Sequence, residues 1–184
     1  MTIAMAIGTV SDKVGDAVSD AVSDAVSDTR ALRNALGRFA TGVTIVTCLD
    51  AQGQAIGLTA NSFNSLSLDP ALVLWSLRQT SPSLAAFSRA SHYAINVLGE
   101  AQVELSRRFA SPQLDKFADG PWGAGVGGVP LLGACAATFE CEALSHQTAG
   151  DHLLFIGRVL RFNESSVPPL LFQAGHYRML GEIL

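Results

Sequence analysis

The sequence is short of charge. Only 15% of its 184 residues are Asp, Glu, Lys or Arg, and the 12 basic residues never gather into a block. With a net charge of −4, this excludes a nucleic-acid or anionic-membrane partner, which needs a dense cationic face. Cysteine is scarce too. Cys48, Cys135 and Cys141 are odd in number and lack CxxC spacing. Such a set predicts a reduced, cytoplasmic protein without a disulfide framework. Cys135 and Cys141 stand an even number of positions apart in a strand-like run, so they are expected to share one buried face. No apolar run reaches the ~18 residues of a membrane span. The N-terminus "MTIAMAIGTV" lacks the basic start and small-residue cleavage site of a signal peptide. There is no GxGxxG and no P-loop, and no His, Cys, Asp or Glu cluster has metal-ligand spacing, so no metal is expected.

Apolar residues are plentiful instead, at 48% with a mean hydropathy of +0.31. That predicts one domain with a large core, part of whose surface is covered in a homo-oligomer. The organisation changes along the chain. Residues 1–28 read as a low-complexity extension built on "DAVSDAVSDAVSD". Its four-residue period drifts around a helix, and it sets Asp at i and i+4, where like charges repel. Residues 29–184 read as the domain. "TRALRNALGRF" carries Leu32, Leu36 and Phe39 at helical spacing, with Asp28 or Thr29 as the N-cap. "VTIVTCLD" and "AIGLTA" form a hairpin around "AQGQ", followed by the strand "ALVLWSL". "SPSLAAFSRA" predicts a short helix with Ser81 as N-cap and Pro82 in its first turn. "HYAINVL" is a strand, "EAQVELSRRFA" a helix, and "GPWGAGVGGVP" a loop. Two long strands joined by "QTAGD" and a last extended segment, "PLLFQAGHYRML", complete the chain. About six hairpin-linked strands with short helices point to a mainly β, antiparallel barrel.

Two stretches carry candidate chemistry. "GLTANSFNSLSLDP", Gly57 to Pro70, places Thr59, Ala60, Asn61, Ser62 and Phe63 after a strand. Uncharged hydrogen-bonding groups beside an aromatic wall suit a flat, neutral heterocycle; the competing reading is a polar loop that caps its own turns. "LRQTSPSL" places Arg78, Ser81 and Ser83 at a strand end and helix start, a setting for a phosphate. The intervening strand, residues 71–77, spans ~23 Å when extended, so one ligand reaches both stretches only if the chain bends or folds back.

The runs "FATGVTIVT", "GLTANSFNSLSLDPALVLWS", "TSPSL", "YAINVL", "FECEALSHQTAGDHLLFIGRV" and "HYR", in this order, resemble the flavin reductase family over about Thr29 to Gly181. The resemblance implies an antiparallel Greek-key split β-barrel that forms a homodimer, binds FMN or FAD and oxidises NADH or NADPH. The reduced flavin would pass to a partner monooxygenase. By position it implies that Thr59, Ala60, Asn61, Ser62 and Phe63 contact the isoalloxazine, with Ser62 donating near its reactive nitrogen. Ser81 and Ser83 would hold the phosphate, beside Arg78, which is read from its own place at the strand end. Gly150, Asp151 and His152 would line the nicotinamide side, and Tyr177 belongs to a weaker C-terminal match. Ser62 and His152 are thus the candidate catalytic residues. The glycine-rich stretch Gly120–Gly128 is expected to gate the site. Two other readings stand beside this one: a flavin-binding or electron-transfer protein without NAD(P)H chemistry, and an oligomeric interaction protein whose repeat docks a partner.

Overall fold

The computed structural model describes residues 28–183, which fall in two units divided between Phe39 and Ala40. In the first unit, helix α1 spans Thr29–Leu36. Asp28 is its N-cap, as one of the two expected positions: the carboxylate accepts from the amides of Arg30 and Ala31, both at 3.0 Å. The DAVS repeat lies outside the described residues apart from Asp28.

The second unit is built on a seven-stranded antiparallel sheet in the order β3-β2-β6-β9-β10-β5-β4. Its strands are β2 (Thr44–Leu49), β3 (Ala55–Ala60), β4 (Asn64–Leu68), β5 (Ala71–Arg78), β6 (His92–Val97), β9 (Ala137–Ala149) and β10 (His152–Glu164). The neighbours β2–β6, β6–β9 and β10–β5 are not consecutive in the chain, as a Greek key requires. β3 and β4 are the two edges of this sheet, yet only residues 61–63 connect them. Four peptide steps reach at most about 14 Å. The sheet must therefore curl until its edges face one another, giving a barrel that hydrogen bonds do not close. This is the split barrel expected from the sequence.

The remaining elements cover the barrel. α2 spans Leu84–Arg89, and a 3-10 turn at Glu100–Gln102 leads into α3, Val103–Ala110. β7 (Trp122–Ala124) pairs with β8 (Pro130–Leu132). β1 (Thr41–Gly42), β11 (Leu171–Gln173) and β12 (His176–Arg178) form a small three-stranded sheet.

Two apolar clusters support the unit. In the first, Trp75 stacks on Phe155 at 4.6 Å and meets Phe87 and Tyr93 edge-on, and all four rings are buried. In the second, Phe109 packs with Val43, Ile45, Leu98, Leu132 and Leu170. Cys141 belongs to the first cluster and Cys135 to the second, which corrects the expectation of a shared face. Cys135 precedes β9, so the strand alternation does not extend back to it. Both are nonetheless buried, as expected of small hydrophobes.

Other boundaries also differ from the sequence reading. "NSLSL" is a strand, largely exposed and uncharged, because an edge strand needs only one buried partner. α2 starts at Leu84, with Ser83 rather than Ser81 at its N-cap position and no side-chain cap bond; Ser81–Ser83 forms a turn instead. The glycine-rich stretch contains the β7–β8 hairpin, and the C-terminal segment folds as the β11–β12 hairpin. Strand β9 runs through Gln147–Ala149, leaving only Gly150 and Asp151 as the turn into β10. Among the described residues, no helix is long and apolar enough to cross a membrane.

Candidate functional site

A cavity of about 530 Å³ opens where the barrel is split. One wall is the β3 end, Leu58 to Ser62. A second is the end of β5 and the turn after it, Ser76 to Arg78 and Thr80 to Ser83. The third is the C-terminal end of α3 and its following loop, Phe109 to Pro112 with Lys116. His152 completes the lining.

The distance between the two sequence stretches is resolved by strand direction. β4 returns antiparallel to β5, with Asn64 opposite Leu74 and Ser65 opposite Val73. Two further steps in this register put Ser62 opposite Ser76, at the Arg78 end of β5 and not at its start. There the backbone pairing stops and the side chain takes over. Ser62 Oγ donates to Ser76 O at 2.9 Å and accepts from Ser76 N at 3.0 Å. One hydroxyl thus imitates both bonds of a ladder pair. The amides of Asn61, Ser62 and Phe63 form no hydrogen bond with another described residue. Of these, Asn61 and Ser62 line the cavity, and free N–H groups in a half-open cleft are a ready acceptor-binding edge.

The other walls are held by specific contacts. Thr59 Oγ1 donates to Ser106 O at 2.7 Å, and Ser106 Oγ bonds the Tyr177 hydroxyl at 2.8 Å. Gly57 permits this approach of α3 to β3, because a Cβ there would lie 2.6 Å from the Phe109 ring. Lys116 Nζ donates to Phe109 O at 3.0 Å, and its burial lowers the ammonium's pKa from the usual value.

At the opposite end, the β9–β10 turn is tied to the end of β5. Gly150, at φ +60°, gives the tight turn its left-handed residue. Gln79 donates from its backbone to Asp151 O at 3.0 Å and from its side chain to Gly150 O at 2.9 Å. His152 then stands opposite Arg78 across the strands. His152 Nδ1 and Asp151 Oδ1 are 2.7 Å apart, which leaves Nε2 as the ring nitrogen available to a ligand. The His152 hydrogen bond holds the Asp151 carboxyl below its ordinary range, with a smaller contribution from the Arg78 charge.

The cavity therefore brings together Thr59, Ala60, Asn61, Ser62, Arg78, Ser81, Ser83 and His152. It does not include Phe63, Gly150, Asp151 or Tyr177. Phe63 packs at 5.5 Å from Phe139 against the first core, and Tyr177 stands behind the site, reaching Thr59 only through Ser106. Gly150 and Asp151 position His152 rather than line the cavity. The Gly120–Gly128 stretch lies elsewhere, with Pro121 and Gly123 lining a separate cavity and Val126 N held by buried Glu140. The α3 wall and Lys116 were missed by the sequence reading. They come 47 or more residues after the β3 stretch, and only the close packing at Gly57 hints at them.

The lining offers two kinds of donor. Asn61 and Ser62 bring neutral amides. Arg78, Lys116 and the hydroxyls of Ser81 and Ser83 bring positive charge and charge-assisted donors. Ser81 Oγ accepts from Ser83 N at 3.3 Å, which leaves its own hydrogen free to donate. α2 has only six residues, so its dipole is a minor contribution and the hydroxyls and cations dominate. This set fits a neutral heterocycle bearing an anionic tail.

Comparison with known proteins agrees. The flavin reductase like domain family matches residues 36–181. The chain is 45% identical over 149 residues to the FMN reductase (NADH) SmoA of Agrobacterium fabrum, covering 81% of this chain and 84% of that protein. It is 44% identical over 148 residues to the reductase component of the flavin-dependent trigonelline monooxygenase of Acinetobacter baylyi, covering 80% of this chain and 48% of that one. The chain spans about half the length of two of the curated relatives it matches. The Streptomyces globisporus NADH:FAD oxidoreductase SgcE6, solved with NAD and FAD fragments, superposes with a TM-score of 0.80 at 32% identity, over 84% of this chain and 94% of that one. The split barrel, the donor-lined cavity at its opening and these matches lead to one conclusion: this chain belongs to the flavin reductase like domain family.

Proposed function

We propose that the chain is an NADH-dependent flavin reductase that binds FMN or FAD in the split of the barrel. The observation that carries this reading is the cavity's donor set, which combines free neutral amides with paired hydroxyls and cations. When bound, the flavin supplies the hydride-accepting ring. The chain's residues do the rest. The amides of Asn61 and Ser62 offer hydrogen bonds to ring acceptors and oppose negative charge there. Ser62 holds those amides in place through Ser76. Ser81, Ser83 and Arg78 bind the phosphate, and Lys116 adds positive charge from the facing wall. His152, oriented by Asp151, presents Nε2 toward the nicotinamide nucleotide.

The names of the relatives support a further step: reduced flavin is passed to an oxygenase partner. We also assign a homodimer and a cytoplasmic location. Leu68 is 95% exposed on edge strand β4 and Phe162 is 69% exposed on β10, apolar area suited to a second copy. The three cysteines are unpaired, which suits a reducing compartment. Purified protein mixed with NADH and either flavin tests the activity. NADH absorbance is expected to fall only when flavin is present. Tight flavin binding without NADH oxidation would instead make it a binding or electron-transfer protein, and light scattering at the monomer mass would remove the dimer.

A further inference from the structure

A second cavity adjoins the first. It holds about 410 Å³ and shares Pro82 and Ser83 with the flavin cavity, so the two meet at the rim where the phosphate is placed. Its apolar side is formed by Ile56 and Ala86, which also pack against the first core. Its rim carries Gln52 and Arg89. The Arg89 guanidinium is exposed and forms no hydrogen bond or ion pair with another described residue. The neighbouring Asp50 forms no ion pair with it; its Oδ1 accepts from the amides of Gln52 and Gln54 at 2.9 and 2.8 Å, which holds that carboxylate in its own turn.

These features fit what lies beyond the first phosphate of a dinucleotide. A flavin that ends in a monophosphate fills the first cavity alone. One whose phosphate is esterified onward crosses the Pro82–Ser83 rim. An unpaired guanidinium there meets a second phosphate. An Ile/Ala surface meets the face of a purine, and the Gln52 amide offers both a donor and an acceptor to its edge. We infer that the second cavity receives the adenylyl half of FAD, so that the chain prefers FAD to FMN. This rests on the flavin reading of the first cavity.

The test is a set of dissociation constants for FMN and FAD with the full chain, its Arg89→Ala variant and its Ala85→Trp variant. Ala85 is an exposed lining residue, so Trp there fills the cavity without entering the core. Wild-type protein is expected to bind FAD more tightly than FMN. Each variant is expected to weaken FAD about tenfold, or 1.4 kcal/mol, while moving FMN less than threefold, and Arg89→Lys restores part of the loss. Equal shifts for both flavins, or none, overturn the inference while leaving the flavin site standing. So does a rise in the KM for NADH, measured with FMN as acceptor, without a change for FAD: the cavity would then serve the nicotinamide nucleotide's adenylyl group. Failure of wild-type protein to bind either flavin removes the flavin site itself.

Discussion

Replacing Ser62 with Ala removes one oxygen and two hydrogen bonds. Ser62 Oγ is both donor and acceptor to the backbone of Ser76, and it is the last rung joining the β3–β4 connection to β5. Each such bond contributes about 0.5–1.5 kcal/mol net, so the pair contributes roughly 1–3 kcal/mol. Ser76 is half-buried, so water replaces part of what is lost and the expected destabilisation lies near the lower end. The functional effect follows from geometry. The hydroxyl's single hydrogen is directed at Ser76 O, so its service to a ligand is to hold the Asn61 and Ser62 amides in place. Ser62→Ala is then expected to lower the urea midpoint and weaken flavin binding together, whereas Ser62→Thr, which keeps the hydroxyl, retains both. Urea melts and a flavin fluorescence titration on the three proteins decide the matter. Unchanged stability in the Ala variant with a large loss of flavin reduction refutes this reasoning and makes the hydroxyl a direct donor to the flavin.

Three more expectations follow from the same contacts. Gly57→Ala places a Cβ 2.6 Å from the buried Phe109 ring and should cost about 1–3 kcal/mol, with altered flavin affinity, while Gly123→Ala, with nothing within 4 Å, should change stability by less than about 0.5 kcal/mol by thermal unfolding. His152→Ala should raise the KM for NADH more than it raises the flavin dissociation constant; the reverse pattern in steady-state kinetics would remove His152 from the nicotinamide side. Burial pushes the thiols of Cys48, Cys135 and Cys141 from 9.0 up to about 12. Above the unfolded value the unfolded chain binds fewer protons, so stability present below pH 9 is lost as pH rises toward 12, by at most about 1.4 kcal/mol per pH unit for each thiol. Urea midpoints at about pH 8 and pH 10 should show this fall, and Cys48→Ala should flatten it; a midpoint independent of pH would show that the thiols do not titrate differently on unfolding.

The strands of the main sheet were readable because burial alternates or runs continuously along them, as in β2 and β6, where Val46, Thr47, Ala94 and Ile95 are all buried. β4 was not, because "NSLSL" has neither charge nor a strong apolar face, and its strand character comes from pairing with β5. The start of α2 was misplaced because Ser81, Pro82 and Ser83 all satisfy helix-start rules, and only the local turn selects Leu84. The two polar stretches of the site were recognisable from residue type. Their proximity was not, since it depends on β4 reversing direction. Lys116 and the α3 wall have no local signature, for they enter the cavity through long-range packing on Gly57. Phe63 is the converse case: an aromatic beside polar residues reads as a ligand wall, while its ring packs on Phe139.

The measurement closest to the central claim is a crystal structure of the protein with FMN bound. The account predicts the ring against the amides of Asn61 and Ser62 and the phosphate within hydrogen-bond reach of Ser81, Ser83 and Arg78. A ligand bound away from the split of the barrel, with that cavity filled by solvent alone, would contradict it.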